Sequence, residues 1–295
     1  MHSHDAKAAE QRNLVVAIVL TASIMGVEVI GGVISNSLAL LSDAWHMFAD
    51  LMALVLCYIA GTISIRPATW DKSYGYYRVE ILAALVNGAT LVMVAVFIFY
   101  EAGQRILSLS SVHSVPMLVV SVIGLGANLA SMTVMSRRML SLNVKAAFLH
   151  VLSDALSSIG VIAGAIIIYF TSLFIVDAII GIAIGIVIIY GTSRMLRTVI
   201  HILLEGTPRH IDPKKVVDKL KGIEGVVDVH DVHVWSITSY VHTLTAHMVL
   251  NGRLKDTNGL LNQVKLILDK DFGISHSTIQ LEREGYQEVG HVCCF

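Results

Sequence analysis

His46 and Asp50 stand four residues apart in LLSDAWHMFADLMAL, and His150 and Asp154 repeat that spacing in AAFLHVLSDALSSIG. On a helix, side chains at i and i+4 share one face. Both stretches are otherwise apolar and long enough to cross a bilayer, where an ionised Asp at the midplane costs about 2.5–3.5 kcal/mol. Something must offset that cost in both places. Two imidazoles and two carboxylates match in number and type the ligands that close a tetrahedral zinc site. A lone polar residue in a span is commonly an interhelical hydrogen bond. Two identical pairs on different spans point instead to a metal.

The elements that must carry these pairs are membrane helices. The chain has 295 residues, 55% of them hydrophobic and 15% charged. Soluble domains carry about 25% charged residues, and the mean hydropathy here is +0.71. Six apolar runs, 13–34, 38–64, 79–103, 115–136, 145–170 and 174–194, are each near the roughly 20 residues a spanning helix needs. The first follows MHSHDAKAAEQRN and is too long for a signal-peptide core, so it is expected to remain as a helix. Residues 1–12 form a polar N-terminal segment, 13–206 the membrane domain and 207–295 a tail of ordinary soluble composition. A net charge of −1 gives no reason to expect nucleic acid as a partner.

Lys and Arg set the orientation. Lys7, Arg12, Arg66, Lys72, Arg78, Arg137, Arg138, Lys145, Arg194 and Arg197 lie on one side of these runs, and only Arg105 on the other. Both termini are therefore expected in the cytosol. Cys57 lies in an apolar helix, and Cys293 and Cys294 adjoin each other at the end of the chain. That is no disulfide framework, and it suits a reducing compartment.

Other polar residues in the spans read differently. Asp43 and Asp177 lie toward span ends and are expected to meet water. Asn87 and Asn128 are expected to bond between helices. For Glu28 a proton relay and a buried protonated acid both stand. Gly160 with Gly164, and Gly181 with Gly185, have the GxxxG spacing that lets backbones approach, and are read as packing.

The tail reads α-β-β-α-β. DPKKVVDKLKG starts a helix with Asp212 as cap and Pro213 at its first position. VVDVHDVHVWSIT and YVHTLTAHMVL alternate as strands around a turn near Ser239, NGLLNQVKLILDKDF is helical, and ISHSTIQLERE alternates again. A small two-layer α+β domain results. His233 and His247 are expected on one face of neighbouring strands. His276 and Glu282, an even number apart, share a face of the third. With Cys293 and Cys294 folding back as thiolates, these residues form a candidate second metal site. A solvated sheet face would carry the same residue types. Further metal-ligand candidates are His2, His4, His230, His291 and Asp71.

These residues also carry a resemblance. SLALLSDAWHMFAD, YGYYRVEILAALVNG, SLNVKAAFLHVLSDALSSIGVI, the LLEG junction, HDVHVWSIT and HSTIQLE together resemble the cation diffusion facilitator family, in its zinc-transporter branch, over nearly the whole length. The resemblance implies a bundle of six transmembrane helices followed by a cytosolic ferredoxin-like domain. It implies a homodimer that exchanges cytosolic zinc for protons, with His46, Asp50, His150 and Asp154 as the central site. One departure is that the loop between the second and third spans holds Asp71 but no histidine, so a loop zinc site of the kind some members carry is not expected here. SRRMLSLN is too brief to hold the long His-rich stretch that some relatives place between spans four and five.

Ligands must lose protons to bind zinc, so metal and protons would compete for one site and move in opposite directions as the helices rock. Imidazole plus carboxylate suits zinc and cobalt and takes cadmium less well than thiolates do. Zinc is thus the expected transported ion and, in the tail, a regulatory one, with no organic cofactor. The bilayer and a second copy of the chain are the other partners. Arg78 and Glu205 are a candidate structural pair. The compact chain points to a bacterial inner membrane. Two other classes compete. An intramembrane zinc enzyme needs an open metal position and a general base, and no HExxH occurs. A membrane metal receptor would bind but fail to move metal into vesicles.

Overall fold

The computed structural model describes residues 19–286 apart from 20, 65, 109, 137–141 and 253–255. The side chains of 54, 57, 58, 131, 134–136, 142–151 and 153 also lie outside that description. Two compact units appear, Met1–Ile59 with Val86–Met195, and Ala60–Leu85 with Leu196–Phe295.

The apolar runs are helices: α1 (Thr21–Ser35), α2 (Leu38–Ser64), α3 (Val79–Ser108), α4 (Ser114–Ser136), α5 (Leu142–Thr171) and α6 (Ile175–Leu203). Among the described residues, Val79–Ser108, Asp154–Thr171 and Ile175–Leu203 are long and apolar enough to cross a membrane, and Thr21–Ser35 and Ser114–Ala130 are shorter apolar helices. The sixth helix outruns its expected end at 194, because Val199 and Ile202 continue its buried stripe. Many large apolar side chains point outward, Met93 at 68% and Val187 at 67% exposure among them. In water such surface would be a liability; in lipid it is the solvated face.

Helix α2 contributes to each core cluster of the first unit. Ala39 and Leu40 pack with Met117 of α4 and Val161, Ala165 and Ile168 of α5. Ala49 packs with Leu91, Ala95 and Ile98 of α3 and Ile188 of α6. Small residues allow these approaches. A Cβ at Gly181 would lie 3.1 Å from Leu38 of α2, and one at Gly185 would lie 2.6 Å from the Phe99 ring of α3. Gly164 abuts Ile180 of α6, whereas nothing lies within 4 Å of a Cβ at Gly160. Gly164, Gly181 and Gly185 serve packing as expected, Gly160 faces open space, and Gly181 and Gly185 serve different neighbours.

In the second unit the tail has the expected order: α7 (Pro213–Lys221), β1 (Val226–Ser236), β2 (His242–Leu250), α8 (Thr257–Phe272) and β3 (Ile274–Arg283). Asp212 caps α7 by accepting from the Lys214 amide, with Pro213 opening the helix. Asp256 caps α8, and Gly273, at φ 67°, closes it in the left-handed region that favours glycine. The sheet order is β1-β2-β3. The first pair is antiparallel, and the second is parallel, with α8 as its crossover. Val216, Leu220, Leu244, Met248, Val264 and Leu268 form one core between helices and sheet. The β1–β2 ladder slips between His230 and His233, where Asp231 takes φ 48°. That bulge decides which histidines meet.

Candidate metal centre

Helix periodicity places His46 and Asp50 one turn apart on α2, and packing brings α5 beside them. His46 Nε2 lies 3.7 Å from Asp50 Oδ2 and 3.8 Å from Asp154 Oδ1. The three ligand atoms lie within 4.8 Å of one another. Zinc with bonds of about 2.0–2.2 Å sets tetrahedral ligands about 3.3–3.6 Å apart, so the two His46–carboxylate distances are within a few tenths of an ångström of that spacing. His150 precedes Asp154 by four residues in α5, and its side chain lies outside the described residues.

Around this trio the polar groups are arranged by neighbouring helices. The Ser157 hydroxyl donates to Asp43 Oδ1 at 2.7 Å, and the Ser158 hydroxyl donates to the Asp154 carbonyl at 3.1 Å. Glu28 of α1 is buried, with its Oε1 over Gly124 of α4, where a Cβ would lie 2.8 Å away. Its Oε2 has no hydrogen-bond partner among the described residues.

Asp43 and Asp177 do not meet water. They are 4% and 1% exposed. Position near the end of a span suggested solvent, but the neighbouring helices cover both. Asp177, in the first turn of α6, accepts from the Ser37 hydroxyl at 2.5 Å and from the Leu38 and Ala39 amides at 2.6 and 3.2 Å. Arg105 of α3 lies 3.6 Å from it. Asn87 and Asn128 are buried, but Asn87 Oδ1 has no hydrogen-bond partner among the described residues, so the expected interhelical bond is not seen there.

In the tail, the cross-strand partner of His247 is His230, whereas His233 pairs with Thr245. His247 Nδ1 lies 2.9 Å and His230 Nε2 3.5 Å from the carboxylate of Glu282, itself 7% exposed. These three form the second group close enough to hold a metal. The bulge explains the exchange of partners: the extra residue at Asp231 shifts the alternation, and plain period-two counting selects His233. His233 joins indirectly, its Nε2 2.9 Å from Asp231 Oδ1, while Asp231 Oδ2 lies 3.6 Å from His247. His276 shares parity with Glu282 but is six residues, about 20 Å, along the strand. Its ring meets Tyr74 at 5.8 Å. Asp71 is exposed in the loop after α2. His2, His4, His291, Cys293 and Cys294 lie outside the described residues. Arg78 and Glu205 do pair, at 3.1 Å, on an exposed surface where such contacts contribute about 0–1 kcal/mol.

One histidine pair is not apparent from strand alternation. His210, in the segment after α6, stacks edgewise on His242 at 4.9 Å, and His242 Nδ1 lies 3.0 Å from the Ser236 hydroxyl. Burial, and then the neighbouring His210, hold the His242 pKa below its usual value. The hydrogen bond from Lys221 is the main cause holding the Asp228 carboxyl below the usual range.

The arrangement has known counterparts. The cation efflux transmembrane domain matches residues 14–204, and the cytoplasmic domain of cation efflux proteins matches residues 208–284. The chain belongs to the cation efflux family. The resemblance to that family is thereby borne out: a transmembrane domain followed by a cytoplasmic domain with a small sheet. Among relatives, the chain is 43% identical over 282 residues to the metal cation efflux system protein CzcD of Cupriavidus metallidurans, covering 95% of this chain and 89% of that one. It is 37% identical to a Bacillus subtilis protein named as a cadmium, cobalt and zinc/H(+)-K(+) antiporter, covering 99% and 95%. It is 35% identical to the zinc transporter ZitB of Escherichia coli, covering 95% and 91%. A solved metal-bound C-terminal domain of CzcD from C. metallidurans is 33% identical, covers 24% of this chain and 99% of that one, and has a TM-score of 0.24. Cation efflux proteins are transporters, so the intramembrane enzyme is set aside.

Proposed function

We propose that this chain is a secondary active transporter that exports zinc, with cobalt and cadmium as further cargo, from the cytosol in exchange for protons. The convergence of His46, Asp50 and Asp154 from two helices carries this reading. Asp50 and Asp154 bring two negative charges, which one divalent cation balances. His150, one turn from Asp154, supplies the fourth ligand. The imidazoles must be neutral to bind, so a proton arriving from the far side opposes the metal. Alternating access then follows from rocking of the helices that hold the two halves of the site. The names of the relatives, which include zinc transporters and an antiporter, point the same way.

In this reading α1–α6 are six spans, 13–206 is the membrane domain and 207–295 a ferredoxin-like tail. Both termini lie in the cytosol of a bacterial inner membrane, and the functional unit is a homodimer. The tail carries a regulatory zinc on His230, His247 and Glu282, with His233 behind them through Asp231. A coupling of about 1–3 kcal/mol is typical for such regulation.

The test is zinc uptake by proteoliposomes under an imposed pH gradient, with a pH dye inside. Transport predicts zinc entry together with proton exit, both abolished by collapsing the gradient. A receptor without transport would bind zinc but show neither flux.

A further inference from the structure

We infer that Asp177 is a positioning residue for the transport site: it fixes the N-terminus of α2 from a neighbouring helix, and so fixes the depth and rotation of His46 and Asp50. This rests on the transport reading of that site.

The first amides of a helix have no partner within it. At α2 they are met from two sources. Asp177 takes the Leu38 and Ala39 amides, one on each oxygen. The Ser37 hydroxyl oxygen takes the Leu40 amide at 3.2 Å while its proton goes to Asp177. The carboxylate thus sits at the N-termini of α2 and α6 together, where two helix dipoles favour an anion, with the Arg105 guanidinium 3.6 Å away. Arg105 also binds the Asn36 carbonyl and the Glu101 carboxylate, which ties the α1–α2 corner to the end of α3. One turn beyond Asp177, Gly181 lets α6 press against Leu38 and Ser42 of α2.

The Asp177 carboxylate is engaged by Ser37, Leu38, Ala39 and Arg105, and none of these is a metal ligand. Its effect on the metal ligands is transmitted by the helix. His46 stands eight residues from Leu38, about 12 Å along the axis, and most of the intervening residues are buried, Leu40, Ser42 and Ala44 among them. A helix held at one end and packed along its length delivers a fixed ligand position. Released at that end, it turns or slides, and the α2 ligands no longer meet those of α5. Asn at position 177 would keep the shape but turn an N–H₂ toward the α2 amides and leave Arg105 without this counter-charge.

The full-length protein in proteoliposomes, with zinc as the probe, tests this. Asp177→Asn should raise half-saturating zinc about tenfold, the low end for groups that orient ligands, while the rate at saturating zinc falls far less. Hydrogen exchange over residues 37–44 should quicken. Ser37→Ala, which keeps the carboxylate, should shift half-saturation in the same direction by a smaller factor. If Asp177→Asn does not insert, Ser37→Ala alone decides. Parent-like half-saturation in the variants, or a lost maximal rate with half-saturation unchanged, overturns the inference. The parent and Asp50→Asn are measured first. A parent that moves no zinc sinks the transport reading itself; a parent that moves zinc beside an unaffected Asp177→Asn sinks only this inference.

Discussion

Replacing Asp154 by Asn is the sharpest perturbation of the intramembrane site, because it changes charge with almost no change in shape. The Asp154 carboxylate lies 3.8 Å from His46 Nε2, and its side chain is 15% exposed. At an effective dielectric near 20, a unit charge at about 4 Å contributes about 4 kcal/mol, or roughly three decades in an equilibrium constant. A dication at bonding distance gains at least that much from the carboxylate. Half-saturating zinc should therefore rise about 10³-fold or more, which at micromolar zinc is loss of measurable flux. Insertion should not suffer, since an intramembrane charge costs about 2.5–3.5 kcal/mol on the insertion scale and Asn removes it. The assay is zinc-dye flux in proteoliposomes, with detergent-phase size analysis to show that the dimer survives. Asp50→Asn should behave alike, since Asp50 lies 3.7 Å from the same nitrogen. Near-normal flux from either variant would refute the assignment of these residues as ligands.

Three further outcomes follow from the geometry. His46→Asp keeps four ligands but hardens the site, so manganese should compete better against zinc in uptake; an unchanged competition order would place selectivity elsewhere. In the tail, His247→Ala or His230→Ala should weaken zinc binding to residues 207–295 at least about tenfold by calorimetry, whereas His276→Ala, facing Tyr74 and far along the strand, should not. Stability of the tail should fall with acid. His242 is held neutral in the fold, so the unfolded chain takes its proton first. That contribution is complete above about pH 6.5 and is lost as pH falls below it toward the lowered folded value. Asp228 contributes stability that is complete above about pH 3.9 and is gone below its depressed folded value. Thermal melts of His242→Gln between pH 7.5 and 5 should be flatter than those of the parent; parallel curves would exclude His242 as the source.

What could be read from the residues alone depended on how local the determining physics was. Helix spacing is a local property, so His46 with Asp50 and His150 with Asp154 were legible as pairs, and the structure brings His46, Asp50 and Asp154 to one point. The α7 cap was equally legible, because Asp212 and Pro213 act within one turn. The burial of Asp177 is not legible locally, because it is set by residues about 140 positions away. Nothing near it in sequence announces that the α2 amides need an acceptor from α6. The signal was present in a different form: SNSLAL opens a helix whose first amides Ser37 caps only in part, and an acid in the first turn of another apolar helix is suited to complete the cap. The tail failed in a second way. Counting by twos along VVDVHDVHVWS holds only for an unbroken ladder, and Asp231 in the left-handed region adds a residue. Asp is among the few side chains that tolerate that conformation, so HDVH was itself a hint of a break. Without the slip, the pairing nearest the turn would put Asp231 opposite His247 with His233 beside it on the same face; with the bulge, His230 takes the place opposite His247 and His233 is left to hold Asp231. The slip that hides the site from the pattern is confined to one residue: deleting Asp231 leaves His230 opposite His247 in a regular ladder, so calorimetry on residues 207–295 should find zinc binding retained, with only the support that His233 gives through Asp231 lost.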